Sequence, residues 1–285
     1  MIPVVGGLIA ALMWGCSTIL ASRSSRQIGA ESTLGWVGIG GAVVITPIAL
    51  VYGIKPGTEP LDWVLVVIGA MGSVIGLRFT YKALSMGKVG VVVAITSTEG
   101  AIAAVVAVFF GVSLGLMAAI GIVLATAGVA AVSLGRHTDD THEMVRDNRR
   151  ASVNAAAAAG IFGASLFVSG DVGSRVGPPW VVMGARWLGI LTMALPQLAR
   201  GRFSAARPAV FFALLAGVGE SSGFLGFLWG AEANVGIAAV VATQYATVAT
   251  LISWILLGER LSRLQLAGIA AVIIGVMVLS ASGGM

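Results

Sequence analysis

Four ionisable side chains lie well inside long apolar runs of the sequence: Arg78, Glu99, Arg186 and Glu220. If such a run spans a bilayer, a charged group at its centre costs about 2.5–3.5 kcal/mol on insertion scales, so it usually faces a protein interior or a wet cavity. The planar guanidinium of Arg186 suits a carboxylate or a phosphate. A carboxyl group kept from bulk water could take up and release a proton, a role open to Glu99 and Glu220.

A purely structural role for these charges is the alternative. Arg78 with Glu220, and Arg186 with Glu99, could form internal ion pairs that only hold helices together. Arg78 also lies nearer the end of its run, where its long side chain could reach the membrane surface.

Aromatic and polar residues accompany the charged ones. Trp187 adjoins Arg186, Trp14 lies near the centre of the first apolar run, and Thr243-Gln244-Tyr245 occupies a place related to Thr96-Ser97-Thr98. Rings around a polar centre suit an amphipathic organic solute, although each ring could equally serve packing or the lipid interface. Further wall candidates are Trp36, Tyr81, Phe224, Trp229 and Trp254. The predicted substrate-binding set is Arg186, Trp187, Glu99, Glu220, Tyr245, Gln244, Trp14 and Arg78, with Glu99 and Glu220 as proton-coupling residues.

Enzyme chemistry is not favoured by any pattern in the chain. His137 and His142 accompany Asp139, Asp140 and Glu143, but their spacing fits no standard metal site. No nucleotide-binding fingerprint or Ser-His-Asp arrangement is present, and the single Cys16 excludes a disulfide framework. We therefore predict no catalytic residue, no metal and no cofactor.

The composition is that of a polytopic membrane protein. Apolar residues make up 58% of the 285 residues and charged residues only 10%, against roughly 25% charged in soluble domains. Ten runs are long and apolar enough to span a bilayer: 4–22, 32–53, 62–84, 89–111, 115–134, 152–170, 179–199, 208–230, 235–257 and 264–281. The isoelectric point of about 10.0 requires no nucleic acid, because basic loops facing anionic lipid headgroups explain it.

An internal repeat divides the chain into 1–135 and 152–285, joined by a polar loop at 136–151. Val89-Gly90-Val91 matches Val235-Gly236-Ile237 at an offset of 146. Because each half would contain five helices, the second half must enter the bilayer upside down. The predicted fold class is therefore an all-α membrane protein with ten transmembrane helices in two inverted five-helix repeats, and a site near the midplane between them.

Small-residue spacing predicts close helix crossings. Gly72-x3-Gly76 lies in the third run, and Gly219-x3-Gly223 and Gly226-x3-Gly230 lie in the eighth. Such stripes let backbones approach closely, so we expect the third and eighth helices to pack against each other.

Several motifs resemble those of EamA-type transporters of the drug/metabolite transporter superfamily. The most specific is Gly258-Glu259-Arg260-Leu261, followed by Gln265, Gly268 and Gly275, with support from Leu12-Met13-Trp14-Gly15 and Ala185-Arg186-Trp187. The first half departs from the motif, with Gly111-Val112-Ser113 in the equivalent place. Ser97-Thr98-Glu99-Gly100 in turn resembles a pattern of the family's ninth helix. The resemblance implies export or exchange of small metabolites across a cytoplasmic membrane.

The resulting hypothesis is a secondary transporter that moves a small polar organic metabolite, such as an amino acid or another carboxylate, by alternating access. The alternative is a proton-coupled exporter of cationic or aromatic drugs, although the first helix has no carboxylate between Ala11 and Ser17. A non-transporting scaffold and a membrane-embedded enzyme are less favoured. The expected partners are the substrate and the lipid bilayer, without nucleic acid, and a homodimer is possible.

Loop charges predict the orientation in an inner, cytoplasmic membrane. Lys and Arg number thirteen in the odd-numbered loops and their flanks, against Lys55 and Arg175 in the even-numbered ones. Cytoplasmic loops retain basic residues, so the odd-numbered loops should be cytoplasmic and both termini outside. The family resemblance suggests the reverse.

Overall fold

The computed structural model of the chain describes residues 1–87, 89–111, 115–134, 142–257 and 263–282. All regular secondary structure in these ranges is helical. The helices are α1 (Ile2–Ile28), α2 (Ala30–Tyr52), α3 (Pro60–Met86), α4 (Val89–Thr96), α5 (Glu99–Phe109), α6 (Leu116–Leu134), α7 (His142–Val176), α8 (Pro178–Gly189), α9 (Leu195–Ala199), α10 (Arg207–Ala242), α11 (Tyr245–Leu257) and α12 (Arg263–Ser282), with a π-helical segment, Ile190–Ala194, between α8 and α9.

Six of the described helical segments are long and apolar enough to cross a membrane: Ile2–Ile28, Ala30–Tyr52, Pro60–Met86, Arg149–Val176, Pro178–Ala199 and Arg207–Ala249. A span of the ~30 Å hydrocarbon core needs about 20 residues, and a helix satisfies its backbone polar groups internally. Shorter apolar helices cover Glu99–Phe109, Leu116–Gly128 and Leu266–Gly275. These elements support the predicted all-α membrane protein.

The fourth and ninth apolar runs are not continuous helices. Ser97 and Thr98 separate α4 from α5, and Thr243 and Gln244 separate α10 from α11. At each break a threonine hydroxyl donates to the carbonyl three residues earlier, Thr98 to Ile95 and Thr243 to Val240, both at 2.8 Å. Such bonds compete with the helical backbone pattern.

A second interruption lies within α10. Asn234 has an extended conformation, with φ of −163° and ψ of 108°. Its Oδ1 accepts a hydrogen bond from the backbone N–H of Ile237 at 3.0 Å, which caps the helical turn that follows. The eighth and ninth apolar runs therefore meet at Asn234 without an intervening loop.

Helix pairs that cross closely do so through small residues. The most extensive contacts join α1 with α10, α3 with α7, and α6 with α12. A Cβ atom placed on Gly6 would lie 2.5 Å from the carbonyl oxygen of Gly226 and 2.7 Å from the Cα of Gly230, so α1 and α10 touch backbone to backbone.

The expectation that the helices of the third and eighth apolar runs, α3 and α10, pack against each other is wrong. Gly72 and Gly76 of α3 face Ser165 and Phe162 of α7. In α10, the four glycines of the two stripes face α1 instead: Gly219, Gly223, Gly226 and Gly230. A stripe of small residues marks the face of a helix that can approach a neighbour closely, but it carries no information about which neighbour that is.

Candidate functional site

An internal cavity lies among α1, α3, α4, α5, α7, α8, α10 and α11. Its volume is about 50 Å³, counted as the space open to the centre of a water-sized molecule. One water needs about 10–15 Å³ on this measure, so the cavity has room for several waters or a small solute group.

Three charged residues line this cavity: Glu99 from the first turn of α5, Arg186 from α8 and Glu220 from α10. They are 4%, 3% and 9% exposed, respectively. Two contacts join Glu220 to α1. The hydroxyl of Ser17 shares its one proton between the carbonyl of Ala216 at 2.9 Å and Oε1 of Glu220 at 3.2 Å, and the indole Nε1 of Trp14 donates to the backbone carbonyl of Glu220 at 3.4 Å.

Arg186 and Glu99 have no such support. Within the described ranges, no residue forms an ion pair with either side chain, and Arg186 Nε and Glu99 Oε2 are buried without a hydrogen-bond partner. The alternative pairs Arg186–Glu99 and Arg78–Glu220 are therefore not formed. Because a buried charge without a partner is costly, this arrangement suits a site whose partner is a ligand.

The path of the Arg186 side chain depends on Gly41 of α2. A Cβ atom at Gly41 would lie 2.7 Å from Arg186 Cδ and 2.4 Å from Ser221 Oγ. Both distances are too short for a carbon atom, so the absence of a side chain on Gly41 leaves the space through which Arg186 reaches the cavity.

Aromatic rings and hydroxyl groups form the rest of the wall. Trp14 and Tyr245 meet edge to face, with ring centroids 6.3 Å apart. The hydroxyls of Tyr245 and Thr96 share a hydrogen bond of 2.7 Å, which links the two broken helices. Other lining residues are Thr18, Ser73, Leu77, Thr80, Tyr81, Val93, Phe162, Ser165, Leu166 and Phe224. The surface of the wall is mostly apolar, as in small-molecule sites generally, although ten of the sixteen lining residues carry a hydroxyl or a charged group.

The structure brings five of the eight predicted substrate-binding residues together in the cavity wall: Trp14, Glu99, Arg186, Glu220 and Tyr245. Gln244 is buried nearby but outside the lining, and its amide donates to the carbonyl of Val240 at 2.9 Å.

Arg78 and Trp187 lie away from the cavity. Arg78 binds Glu31 at 2.7 Å with its side chain 45% exposed, and Gln197 donates to the same carboxylate. Trp187 is 45% exposed and donates to Thr46 Oγ1 at 3.1 Å. Consecutive residues on a helix point about 100° apart, so Trp187 cannot face the same way as Arg186.

Among the other aromatic candidates, Tyr81 and Phe224 line the cavity, whereas Trp36 and Trp229 do not. The side chain of Trp254 lies outside the described residues. So do Gly258-Glu259-Arg260-Leu261, the side chain of Gln265, and the acidic and histidine side chains at 137–143. Among the described residues, no group of three or more His, Cys, Asp or Glu could hold a metal ion.

Polar residues of α1, α3 and α7 were missed by the sequence reasoning, although a signal was present. Ser73, Leu77 and Thr80 follow i, i+4, i+7 spacing, and Trp14 and Thr18 follow i, i+4 spacing, so each set shares a helix face. Extending such a face from Trp14 and Tyr81 would have found the residues of α1 and α3, whereas α7 carries no predicted aromatic residue from which to extend. Gly41 has no comparable signal, because its role depends on a neighbouring helix.

Ion pairs join the two halves of the chain at one end of the bundle, which we call the clasp end (residues 53–62, 171–177 and 230–234). Lys55 binds Glu232 at 2.7 Å, and Arg175 binds Asp62 at 2.7 Å and Asp171 at 2.8 Å. The Nζ of Lys55 also donates to the carbonyl of Ser174 at 3.0 Å. The loop between α2 and α3 is thereby attached to the end of α7 and to α10.

Comparisons with known proteins concern the family and the fold of the chain. The sequence profile of the EamA-like transporter family matches residues 1–134 and 151–281. A protein of known crystal structure, described only as "protein", aligns with a TM-score of 0.76 at 19% sequence identity, covering 98% of this chain and 96% of that chain. This likeness concerns the fold alone. None of the curated proteins compared with the chain matches it.

Proposed function

Because the chain belongs to the EamA-like transporter family, and is thus a multi-pass membrane transporter of the drug/metabolite superfamily, we propose that it carries a small zwitterionic or anionic organic metabolite, such as an amino acid, by alternating access. The transport is secondary and runs as export or exchange. The cavity between the halves of the chain is the substrate site.

The architecture that supports alternating access is two inverted repeats of five spans, with ten spans in total. Two features favour it. The breaks at Ser97–Thr98 and Thr243–Gln244 are 146 residues apart, the offset of the sequence repeat. The second feature is a matching pair of helix crossings, in which the first helix of each half crosses the third helix of the other. The hydroxyl of Ser17 donates to the carbonyl of Ala216 at 2.9 Å where α1 crosses α10, and the hydroxyl of Ser165 donates to the carbonyl of Gly69 at 2.7 Å where α7 crosses α3.

The observation that carries the substrate proposal is the buried guanidinium of Arg186 in the cavity wall, whose Nε has no hydrogen-bond partner among the described residues. A substrate carboxylate would supply the missing acceptor, in the bidentate geometry that guanidinium favours. The unpaired carboxylate of Glu99 is available for an ammonium group on the same molecule. The apolar and aromatic wall would hold the carbon skeleton.

The second candidate is a proton-coupled exporter of cationic or aromatic drugs. The presence of two carboxylates and one guanidinium in the cavity, among aromatic rings, favours it. In that case Glu99 or Glu220 would bind the cation and exchange it for a proton, and Arg186 would not contact the substrate.

Uptake of radiolabelled amino acids and of cationic dyes into proteoliposomes tests these proposals. The R186Q variant should lose amino-acid transport by about tenfold or more, since a hydrogen bond to a charged group is worth about 1.5–3 kcal/mol. Its melting temperature should be measured alongside, so that a loss of transport is assigned to the site only if the variant remains folded. The matched control is R78Q, which removes an exposed arginine bound to Glu31 and should transport normally.

The outcomes separate the two candidates. Normal amino-acid transport by R186Q would contradict the leading proposal. The drug exporter would be supported if R186Q still transports the dye. In that case E99Q or E220Q should lose both dye transport and the response to an imposed pH gradient.

A further inference from the structure

The basic residues at the two ends of the bundle differ in whether they form ion pairs. At the clasp end, Lys55 and Arg175 are bound by carboxylates. At the opposite end, where α1 ends and α10 begins, most basic side chains are exposed, and within the described ranges only Arg78 has an acidic partner. We call this the basic end (residues 20–31, 78–87, 149–151 and 199–212).

Three arginines of the basic end lie near the start of α10. Arg202 belongs to the loop that joins α9 to α10, and Arg207 begins α10. Arg23 of α1 places its Cζ 5.8 Å from the centre of the Phe212 ring, just over one turn further along α10. All three side chains are exposed, and none forms an ion pair with a carboxylate in the part of the chain that the structure describes.

The loop that carries Arg202 is held in place by aromatic and polar contacts. Trp36 of α2 stacks on Phe203 with ring centroids 4.9 Å apart, and its indole N–H donates to the carbonyl of Ser204 at 2.9 Å. The backbone N–H of Ser204 donates to Ser32 Oγ at 3.2 Å. The arginines therefore project from a fixed surface rather than from a free loop.

The surroundings are those of a membrane interface. Trp and Tyr side chains are enriched where a membrane protein meets the headgroup layer, and the half-buried Trp36 lies beside this loop. Phe211 is 59% exposed on the apolar surface of α10. The phosphate of an anionic lipid suits guanidinium groups in charge and geometry. Each basic residue near an anionic leaflet strengthens the binding of a protein to anionic lipid by about fivefold.

We propose that Arg23, Arg202 and Arg207 bind the headgroup phosphate of an anionic glycerophospholipid, whose acyl chains lie along α10 beside Phe211. The protein then has a lipid site on its surface, separate from the transport cavity. Occupancy would fix the start of α10 against α1, the helix that holds Glu220 in the cavity.

Native mass spectrometry of the purified full-length protein in neutral detergent, titrated with phosphatidylglycerol, tests the site. The variant R23Q/R202Q/R207Q should bind this lipid about a hundredfold more weakly, following the fivefold contribution of each residue. The matched control K82Q/R149Q/R150Q removes the same charge from exposed positions of the basic end. Its dissociation constant for phosphatidylglycerol should stay within about threefold of the native value. Phosphatidylcholine should bind weakly to all three proteins.

Several results would overturn the proposal. Equal weakening in both triple variants would mean diffuse attraction rather than a site, and unchanged binding in the first variant would exclude these arginines. Displacement of the lipid by inorganic phosphate would mean that free phosphate is the ligand. If the triple variant does not fold, R202Q alone should cost about fivefold and R202K should restore most of the affinity.

Discussion

At the scale of single residues, the main feature of the cavity is that some of its buried charged groups lack hydrogen-bond partners. Glu220 has a hydrogen bond from Ser17, but Arg186 Nε and Glu99 Oε2 have no partner. In a well-packed protein interior, unpaired polar atoms of this kind are rare and costly. Their concentration in one cavity is the strongest argument that a ligand completes it.

A substitution at Gly41 tests whether the Arg186 side chain follows the path described above, without changing a residue of the cavity wall. Substituting G41A would place a methyl group 2.7 Å from Arg186 Cδ and 2.4 Å from Ser221 Oγ. Forcing extra atoms into a packed site costs about 1–3 kcal/mol, so substrate affinity should fall by about fivefold to a hundredfold as Arg186 is displaced. Substrate binding measured by isothermal titration calorimetry checks this.

The control for G41A is G189A on α8, where a Cβ atom would lie 3.7 Å from Val74, an ordinary contact. G189A should bind substrate normally. If G41A also binds normally while Arg186 proves necessary, the described path of the arginine side chain is wrong.

At the scale of the helices, continuity of apolar sequence did not mean continuity of helix. Residues 89–111 and 235–257 each read as one span, yet both break near the middle, beside the cavity. The backbone there is irregular only where it is buried within the protein, as the bilayer requires. The breaks place Glu99 and Tyr245 at the first turn of a helix that starts at the cavity wall.

The clasp end supplies the prediction at this scale. Lys55 and Glu232 join the α2–α3 loop to α10, with side chains 31% and 33% exposed. An ion pair this exposed contributes about 0.2–1 kcal/mol, so breaking it should raise the population of an open clasp end by at most about fivefold. We expect K55E to add a longer distance between spin labels at P56C and A233C in a C16S background, measured by double electron–electron resonance.

The charge exchange K55E/E232K is the control, because it restores an ion pair with the opposite polarity. It should recover the native distance distribution. Identical distributions in all three proteins would mean that the clasp end does not open through this pair.

At the scale of the whole molecule, the charge difference between the two ends predicts the orientation in the membrane. The basic end should face the cytoplasm, because basic loops resist translocation. A reporter fused to the C-terminus and active only outside the cytoplasm should then be active. The same reporter inserted in the polar segment at 136–150 should be inactive. The opposite pattern would place both termini inside.

The sequence by itself determined the class of the protein and the approximate position of its helices. Hydropathy decides these properties locally, because each span must satisfy the bilayer along its own length. It also predicted that Arg186, Glu99 and Glu220 are buried charges, since a charge inside an apolar run stands out without knowledge of any neighbour. The six long spans and the family match agree with that reading.

Only the tertiary structure decided which residues meet. Arg78 and Arg186 both lie within apolar runs of the sequence, yet Arg78 binds Glu31 at the surface and Arg186 reaches the cavity past Gly41. The glycine stripes predicted tight crossings but not the pairing of α1 with α10 and of α3 with α7. The physical reason is that hydropathy and helical spacing are properties of one helix, whereas pairing, cavities and unpaired charges depend on atoms that different helices bring together.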